Sequence, residues 1–516
     1  MPKNLGAACA LVALICGNAF GQSPAQNLIR KTAQALGGVE RILSIKSLRV
    51  EGYGQEAVQN GGGNASASPQ APQRWTNIMS YEETIDVASR RIRIRQRSQA
   101  WLPAATLSRV FGNVTTTSVL DGEIPYTINA GTPRRANSGT AASLWIEMET
   151  HPVALVRMAL DAAATVNNVR TQGRLQLVDI TLKRGPKLTL AVDQSTSLPV
   201  WVSWMETDGM LRDLTSQKWF TGFEPINGVM MPSGFKTVID FRNVVQSQMY
   251  VTRNFVDAPI DDLSAPQAVK TASAPPAQPP TVDADPVAKG IWLLHGNRGH
   301  NSILIEFADH LTMFEVPLDE EWSRALITKA RSVVPGKPVT EAIVSHHHFD
   351  HSGGVRLAIA EGLRIVAHRG TEDLFREIAA RKSTLEPDAL SRNPKPLQFV
   401  PVDDHLTLKD ASMEIEIYHI VGNEHMSEAL MAWVPRDRLL IEGDLFDYTW
   451  QNYPWGNIYA DNVKLRKLDV DKDVPVHGVV MSWKDFLQNV EKMQQTTQQL
   501  CKGPEAPLLP QCEVIR

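Results

Sequence analysis

An N-terminal antiparallel, β-rich α+β domain followed by a C-terminal α/β layer domain is the fold class the chain predicts, from three features. Residues 264–286 (SAPQAVKTASAPPAQPPTVDADP) are rich in Pro and Ala and lack hydrophobic periodicity, which is the composition of an extended, semi-rigid linker. Before that segment, β-branched and aromatic runs follow one another almost without helical interruption. After it, apolar strand-like runs alternate with helical patterns, the rhythm of a layered α/β structure. The 516 residues, 43% hydrophobic and 21% charged, are enough for two to four domains with a sizeable core. A net charge of −4 gives no electrostatic reason to expect a nucleic-acid partner.

The first 21 residues form a segment of their own. Lys3 gives a positive start, residues 5–16 are apolar and uncharged, and Ala19 and Gly21 are small residues spaced for cleavage. This layout predicts a secretory signal peptide, cleaved after about Gly21, and an exported protein, periplasmic or secreted. No later run is long and apolar enough to span a bilayer, so a membrane-spanning protein is not expected. Cys9 and Cys16 would leave with the leader. Cys501 and Cys512 frame a short proline-rich loop in the tail, residues 499–516, and in an oxidising compartment they are expected to form a disulfide.

Residues 22–263 begin with a helical stretch, 27–36, closed by Gly37-Gly38. Strands are predicted at 48–53, 75–87, 91–99, 175–182, 188–192, 200–206, 229–239 and 248–255, with a helix near 152–164. Residues 59–73 (QNGGGNASASPQAPQ) are low-complexity and are expected to be a disordered hairpin tip. Arg91, Arg93, Arg95 and Arg97 share one face of a strand; the expectation is a solvated face with Ile92 and Ile94 turned inward. The layout, with the phrase DQSTSLPV at 193–200, resembles the half-barrel of periplasmic lipoprotein-carrier proteins.

In residues 287–498, strands are predicted at 302–307, 311–315, 340–345, 363–367, 413–420, 429–434 and 439–442, and helices at 320–333 and 370–380. The strand ending at Ser345 runs into His346-His347-His348-Phe349-Asp350-His351, followed by Gly353-Gly354. Histidine is the commonest metal ligand, and this density of it beside a carboxylate points to a metal centre. Alternate residues of an extended segment point the same way, so His346 and His348 can share one ion. Asp350 and His351, one turn on, can address a second.

The pattern His346-x-His348-x-Asp350-His351 at a strand end is similar to the signature of the metallo-β-lactamase superfamily, a resemblance that covers residues 289–498. It implies a four-layer αββα sandwich with the site at one sheet edge. It also implies a first ion on His346, His348 and His425, and a second on Asp350, His351 and His477. Asp444 and a hydroxide would bridge the two divalent cations, zinc first and manganese or iron as alternatives. Asp350 would be the catalytic residue that orients the hydroxide and carries its proton. The chain departs from the family around the third histidine, where Asn423-Glu424-His425-Met426-Ser427 replaces the usual small residues and leaves His419 as a rival ligand. His347 is no ligand in the family pattern and is expected to pack on the other side.

The resulting expectation is an exported binuclear metallohydrolase acting on an ester, lactone or thioester-type bond of a small, apolar or lipidic molecule. Asp444 resembles the bridging carboxylate of the lactonase, thioesterase and phosphodiesterase branches, which weighs against a β-lactamase proper. A mononuclear iron oxygenase and a periplasmic carrier of lipidic ligands with an accessory metal domain are the other readings. Phe446, Tyr448, Trp450, Tyr453 and Trp455 either line a pocket for an apolar substrate or pack their loop.

Overall fold

The computed structural model describes residues 23–57, 66–71, 73–100, 114–423, 425–446, 453–504 and 512. The expected leader lies outside the described residues. Among those described, no helix is long and apolar enough to cross a membrane.

The N-terminal region is built on a thirteen-stranded antiparallel sheet. Strands from Ser47–Ala57 to Thr132–Arg135 run outward as one meander, and Thr165–Gln172 to Val244–Val256 return as another. The two join where Ser47–Ala57 pairs with Val244–Val256. Helices Pro24–Leu36, Ser138–Thr150 and Pro152–Ala159 bury Leu28, Ile29, Leu36, Leu144, Leu155 and their neighbours against one face. The first helix starts three residues before its apolar pattern, because Ser23 and Gln26 form a capping box. Gly37 ends it at φ +139°, where a Cβ would lie 2.2 Å from the Gly228 carbonyl oxygen. Glycine is required there on both counts.

Several strands escaped the sequence reading. Thr165–Gln172 is an exposed edge strand with little alternation, and Arg212–Ile226 has charged residues at both ends of its buried stretch. The arginine ladder behaves as expected: Ile92 is fully buried, Arg91 pairs with Asp121 at 2.5 Å, and Arg93 with Glu82 and Asp261 at 2.9 Å.

Two expectations fail. Part of the expected linker is folded: Val269 packs in a small core with Leu263, Ala265 and Tyr126, and Val282–Ala288 is the edge strand of the next sheet. Its few apolar residues suffice because each meets a face that is already apolar. The supposed disordered tip is likewise seated in part. Residues 58–65 and 72 lie outside the description, but Ala67 is buried among Met210, Leu211 and Phe241.

The C-terminal region has a seven-stranded sheet and a six-stranded sheet. Ile303, Ile305, Phe314 and Ile343 of the first face Ile415, Ile417, Ala432 and Ile441 of the second across one apolar core. Helices Glu320–Val333, Val355–Glu361 and Glu372–Ala380 cover the other face of the larger sheet. Tyr459, Val463, Phe486 and Val490, from helices Tyr453–Arg466 and Trp483–Leu500, pack on Met431 and Leu440 of the smaller one. Cys501 and Cys512 form a disulfide, as expected.

Glu83 offers a test of the N-terminal core. Its side chain is buried beside Lys218 and Glu147, and Tyr81 donates to it at 2.6 Å. Burial pushes its carboxyl up to about 7, against the pull of Lys218. A pKa raised on folding contributes stability that is complete below the ordinary value of 4.5 and is lost as pH rises through about 7. Glu83→Gln is therefore expected to flatten the fall in thermal midpoint between pH 5 and 8, an effect of up to about 3 kcal/mol. Parallel pH profiles for the two proteins would contradict this.

Candidate metal centre

Strand Val339–Ile343 lies inside the larger sheet between parallel neighbours, and its C-terminal end delivers the histidine cluster. The strand stops two residues earlier than the sequence suggested. His346 to His348 form a loop, and Asp350 and His351 sit on a short helix, Phe349–Ser352. Gly353 and Gly354 have φ of −60° and −89°, conformations open to any residue. They are glycine because space is short: a Cβ would lie 2.0 Å from the Leu318 carbonyl oxygen in one case and 2.0 Å from Ser323 Oγ in the other. The smaller sheet supplies His425 from the loop after Glu414–His419, Asp444 just beyond Leu439–Glu442, and His477 just beyond Lys472–Pro475.

The seven residues singled out in the sequence converge as two overlapping quartets. His346, His348, His425 and Asp444 bring one donor atom each within 4.8 Å of one another, and so do Asp350, His351, Asp444 and His477. Asp444 is common to both. One of its oxygens lies 2.8 Å from His351 Nε2 and 2.9 Å from His477 Nε2; the other lies 3.0 Å from His425 Nε2. Asp350 lies 3.6 Å from both His351 and His477. His425 Nδ1 and one oxygen of Asp350 are buried without a hydrogen bond. Buried polar atoms left in this way are costly unless something between them is bound.

The electrostatics suit cations. Burial keeps His346, His348 and His425 well on the neutral side, with a lone pair available. Burial also opposes charge on His351 and His477, but the Asp444 and Asp350 carboxylates outweigh it. They hold His351 far above the imidazole range and His477 at about 9. In return, the Asp444 and Asp350 carboxyls are held far below the usual range despite their burial. A cation must displace the protons on His351 and His477, so apparent metal affinity rises with pH. The donor set of imidazole and carboxylate fits zinc, with iron or manganese as alternatives.

Other residues complete the surroundings. Glu315, fully buried at φ +76°, lies 3.4 Å from His351 Nδ1, and its carboxylate accepts from the Ser345 backbone N–H. Ser345 Oγ meets His346 Nδ1 at 3.0 Å. His300 lies 3.7 Å from Asp350, with its ring 4.7 Å from that of His477. The sequence carried no signal for Glu315, which reads as an ordinary strand end. His300 stands just before the strand predicted at 302–307 and is not among the residues singled out in the sequence. His419 is excluded from the cluster: its Nε2 lies 2.7 Å from the Ser427 carbonyl oxygen and its ring stacks on His368. His347 is fully buried with both nitrogens unpartnered and belongs to neither quartet. Of the aromatic run, Trp455 lies 4.3 Å from the His425 ring and Phe446 packs on Phe486. Tyr448 and Trp450 lie outside the described residues.

The family model of the metallo-beta-lactamase superfamily matches residues 295–449. The C-terminal region contains a metallo-β-lactamase superfamily domain. The match takes in six of the seven residues and stops before His477, which the strand Lys472–Pro475 places. A type 2 metallo-β-lactamase of Bacillus cereus is 23% identical over 218 residues, 39% of this chain and 78% of that enzyme. A linear primary-alkylsulfatase of a Pseudomonas species is 30% identical over 112 residues, 20% of this chain but only 16% of its own length. Among solved structures, a metallo-β-lactamase from Pontibacter korlensis is 15% identical, with a TM-score of 0.33 over 42% of this chain and 99% of its own. The rubredoxin oxygen:oxidoreductase of Desulfovibrio gigas is also 15% identical, with a TM-score of 0.34 over 42% and 62%. The superfamily includes metal-dependent hydrolases, and the relatives that this domain matches in sequence include a sulfatase and a β-lactamase.

Proposed function

We propose that this is an exported binuclear metallohydrolase, built on a four-layer αββα domain, that cleaves an ester, lactone or thioester bond of an apolar small molecule. The observation that carries the reading is the pair of donor quartets sharing Asp444. His346, His348 and His425 would hold one ion, Asp350, His351 and His477 the other, with Asp444 in reach of both. Divalent cations bound there, most simply zinc, would supply a water of lowered pKa and Lewis-acid polarisation of the scissile carbonyl. The protein supplies the rest. Asp350, whose second oxygen is buried and unpartnered, accepts the proton of the attacking water. Ser345 and Glu315 fix the His346 and His351 rings through their Nδ1 atoms. Trp455, fully buried, packs its ring 4.3 Å from that of His425 and holds that side of the site apolar. The disulfide Cys501–Cys512 supports export, since such bonds persist in oxidising compartments.

A carrier role has less support. One face of the N-terminal sheet is covered by helices, and a cleft of about 550 Å³ beside them has a mixed lining in which Glu56, Glu147 and Glu206 stand among Ile146, Trp204 and Met205. One further substrate class has a specific observation behind it. The local match to an alkylsulfatase suits an anionic sulfate ester.

The bond is tested by a substrate panel. An alkoxide leaving group is stabilised directly by a cation, whereas amide nitrogen needs a proton, and Asp350 is the one acid among the described residues of the quartets placed to give it. Metal-replete enzyme is expected to hydrolyse lactones or aryl esters at least about tenfold faster, by second-order rate constant, than any β-lactam. A preference for penicillins, cephalosporins or carbapenems would refute the leaving-group argument. A preference for alkyl sulfates would replace the acyl substrate with the sulfate ester.

A further inference from the structure

We propose that the N-terminal region positions the third histidine of the metal centre through a clamp formed by Arg74, Ser66 and Ala67. The inference rests on the metallohydrolase reading and concerns what holds its least supported ligand. His346 and His351 each have a partner at Nδ1, Ser345 and Glu315 respectively. Such partners normally fix a metal-bound imidazole. His425 has none at Nδ1. Its loop is also the place where the chain departs from the small-residue pattern it otherwise resembles. Within its own domain the loop is tied by Asn423 Oδ1, which accepts from the His425 backbone N–H at 2.8 Å.

Further ties come from more than 350 residues earlier in the chain. The Arg74 guanidinium donates to the carbonyl oxygen of His425 itself. Three residues on, Glu428 accepts from Ser66 Oγ and from the Ala67 backbone N–H, the latter at 2.8 Å. Arg242 locks the strap from behind, donating to the Ala67 carbonyl oxygen at 2.6 Å and to Glu377 at 2.9 Å. Ala67 is itself buried in the core shared by both regions. A charged donor on the ligand's own carbonyl and a carboxylate anchored three residues later restrict the loop at both sides of the imidazole. Among the described residues, the clamp's hydrogen bonds fall on the His425 loop and none on Asp350, His351 or His477.

Arg74 is a positioning residue, and its test reads metal affinity rather than turnover alone. Full-length protein, stripped by chelator, is titrated with Co²⁺ and followed by absorption and by competition with a chromophoric chelator. Wild type is expected to take two ions. Arg74→Ala is expected to weaken one ion by about tenfold to a hundredfold and leave the other within twofold, with kcat falling and KM little changed. Arg74→Lys, which keeps a cationic donor, should recover part of the loss. Glu428→Gln, or Ser66→Ala if the arginine variant does not fold, should weaken the same ion. Two ions bound at wild-type strength in these variants, or both weakened equally, would overturn the clamp. Wild-type protein that binds no ion would overturn the metallohydrolase reading itself.

Discussion

His346→Ala and His348→Ala are each expected to abolish hydrolysis and to cost the protein one bound ion, while His347→Ala leaves metal content intact. The three side chains are consecutive in sequence and all buried, so burial does not separate them. Direction does. The His346 and His348 rings lie 5.3 and 4.7 Å from that of His425, on the same side as Asp444, whereas His347 belongs to neither quartet. Removing a ligand should cost more than the roughly 10²-fold typical of losing an outer partner. Removing His347 leaves a cavity, so its cost falls on stability. Metal analysis and activity on the three variants check this, and equal losses for all three would refute the assigned register.

Asp444→Asn is expected to weaken both ions together and to reduce activity by more than about 10²-fold. Asp444 is the one carboxylate in both quartets, and five neutral imidazoles with Asp350 alone cannot offset the charge of two dications. The substitution also removes the charge that holds His477 at about 9. In the metal-free protein His477 should then lose its proton at a lower pH, visible by NMR titration. Loss of a single ion, with the second bound as before, would show that Asp444 does not bridge.

How much of this was legible in the sequence differs between the two regions. In the C-terminal region, strand ends and chemistry coincide. The apolar run before His346, the Gly353-Gly354 pair and the aspartate after residues 439–442 each mark where a chain leaves a sheet, so the ligands could be placed by element. His425 was the least legible because its loop lacks the expected small residues; the structure separates it from His419 by the latter's bond to Ser427. Glu315 was invisible, since its role depends on a residue 36 positions away in sequence and on a positive φ that no local pattern announces. In the N-terminal region, strands with amphipathic alternation were readable, while edge strands such as Thr165–Gln172 were not. Composition also misled: residues 66–71 look like a flexible tip, yet Ala67 is buried by neighbours from distant parts of the chain. Low-complexity sequence reports the absence of a local reason to fold, not the absence of a tertiary one.

The measurement that bears most directly on the account is metal stoichiometry combined with removal and reconstitution. Purified full-length protein is expected to carry two divalent ions per chain. Chelation should remove them with loss of hydrolysis, and adding back two equivalents, but not one, should restore it fully. A protein that binds one ion or none at saturation, or that keeps its activity after both are removed, would contradict the binuclear centre on Asp444.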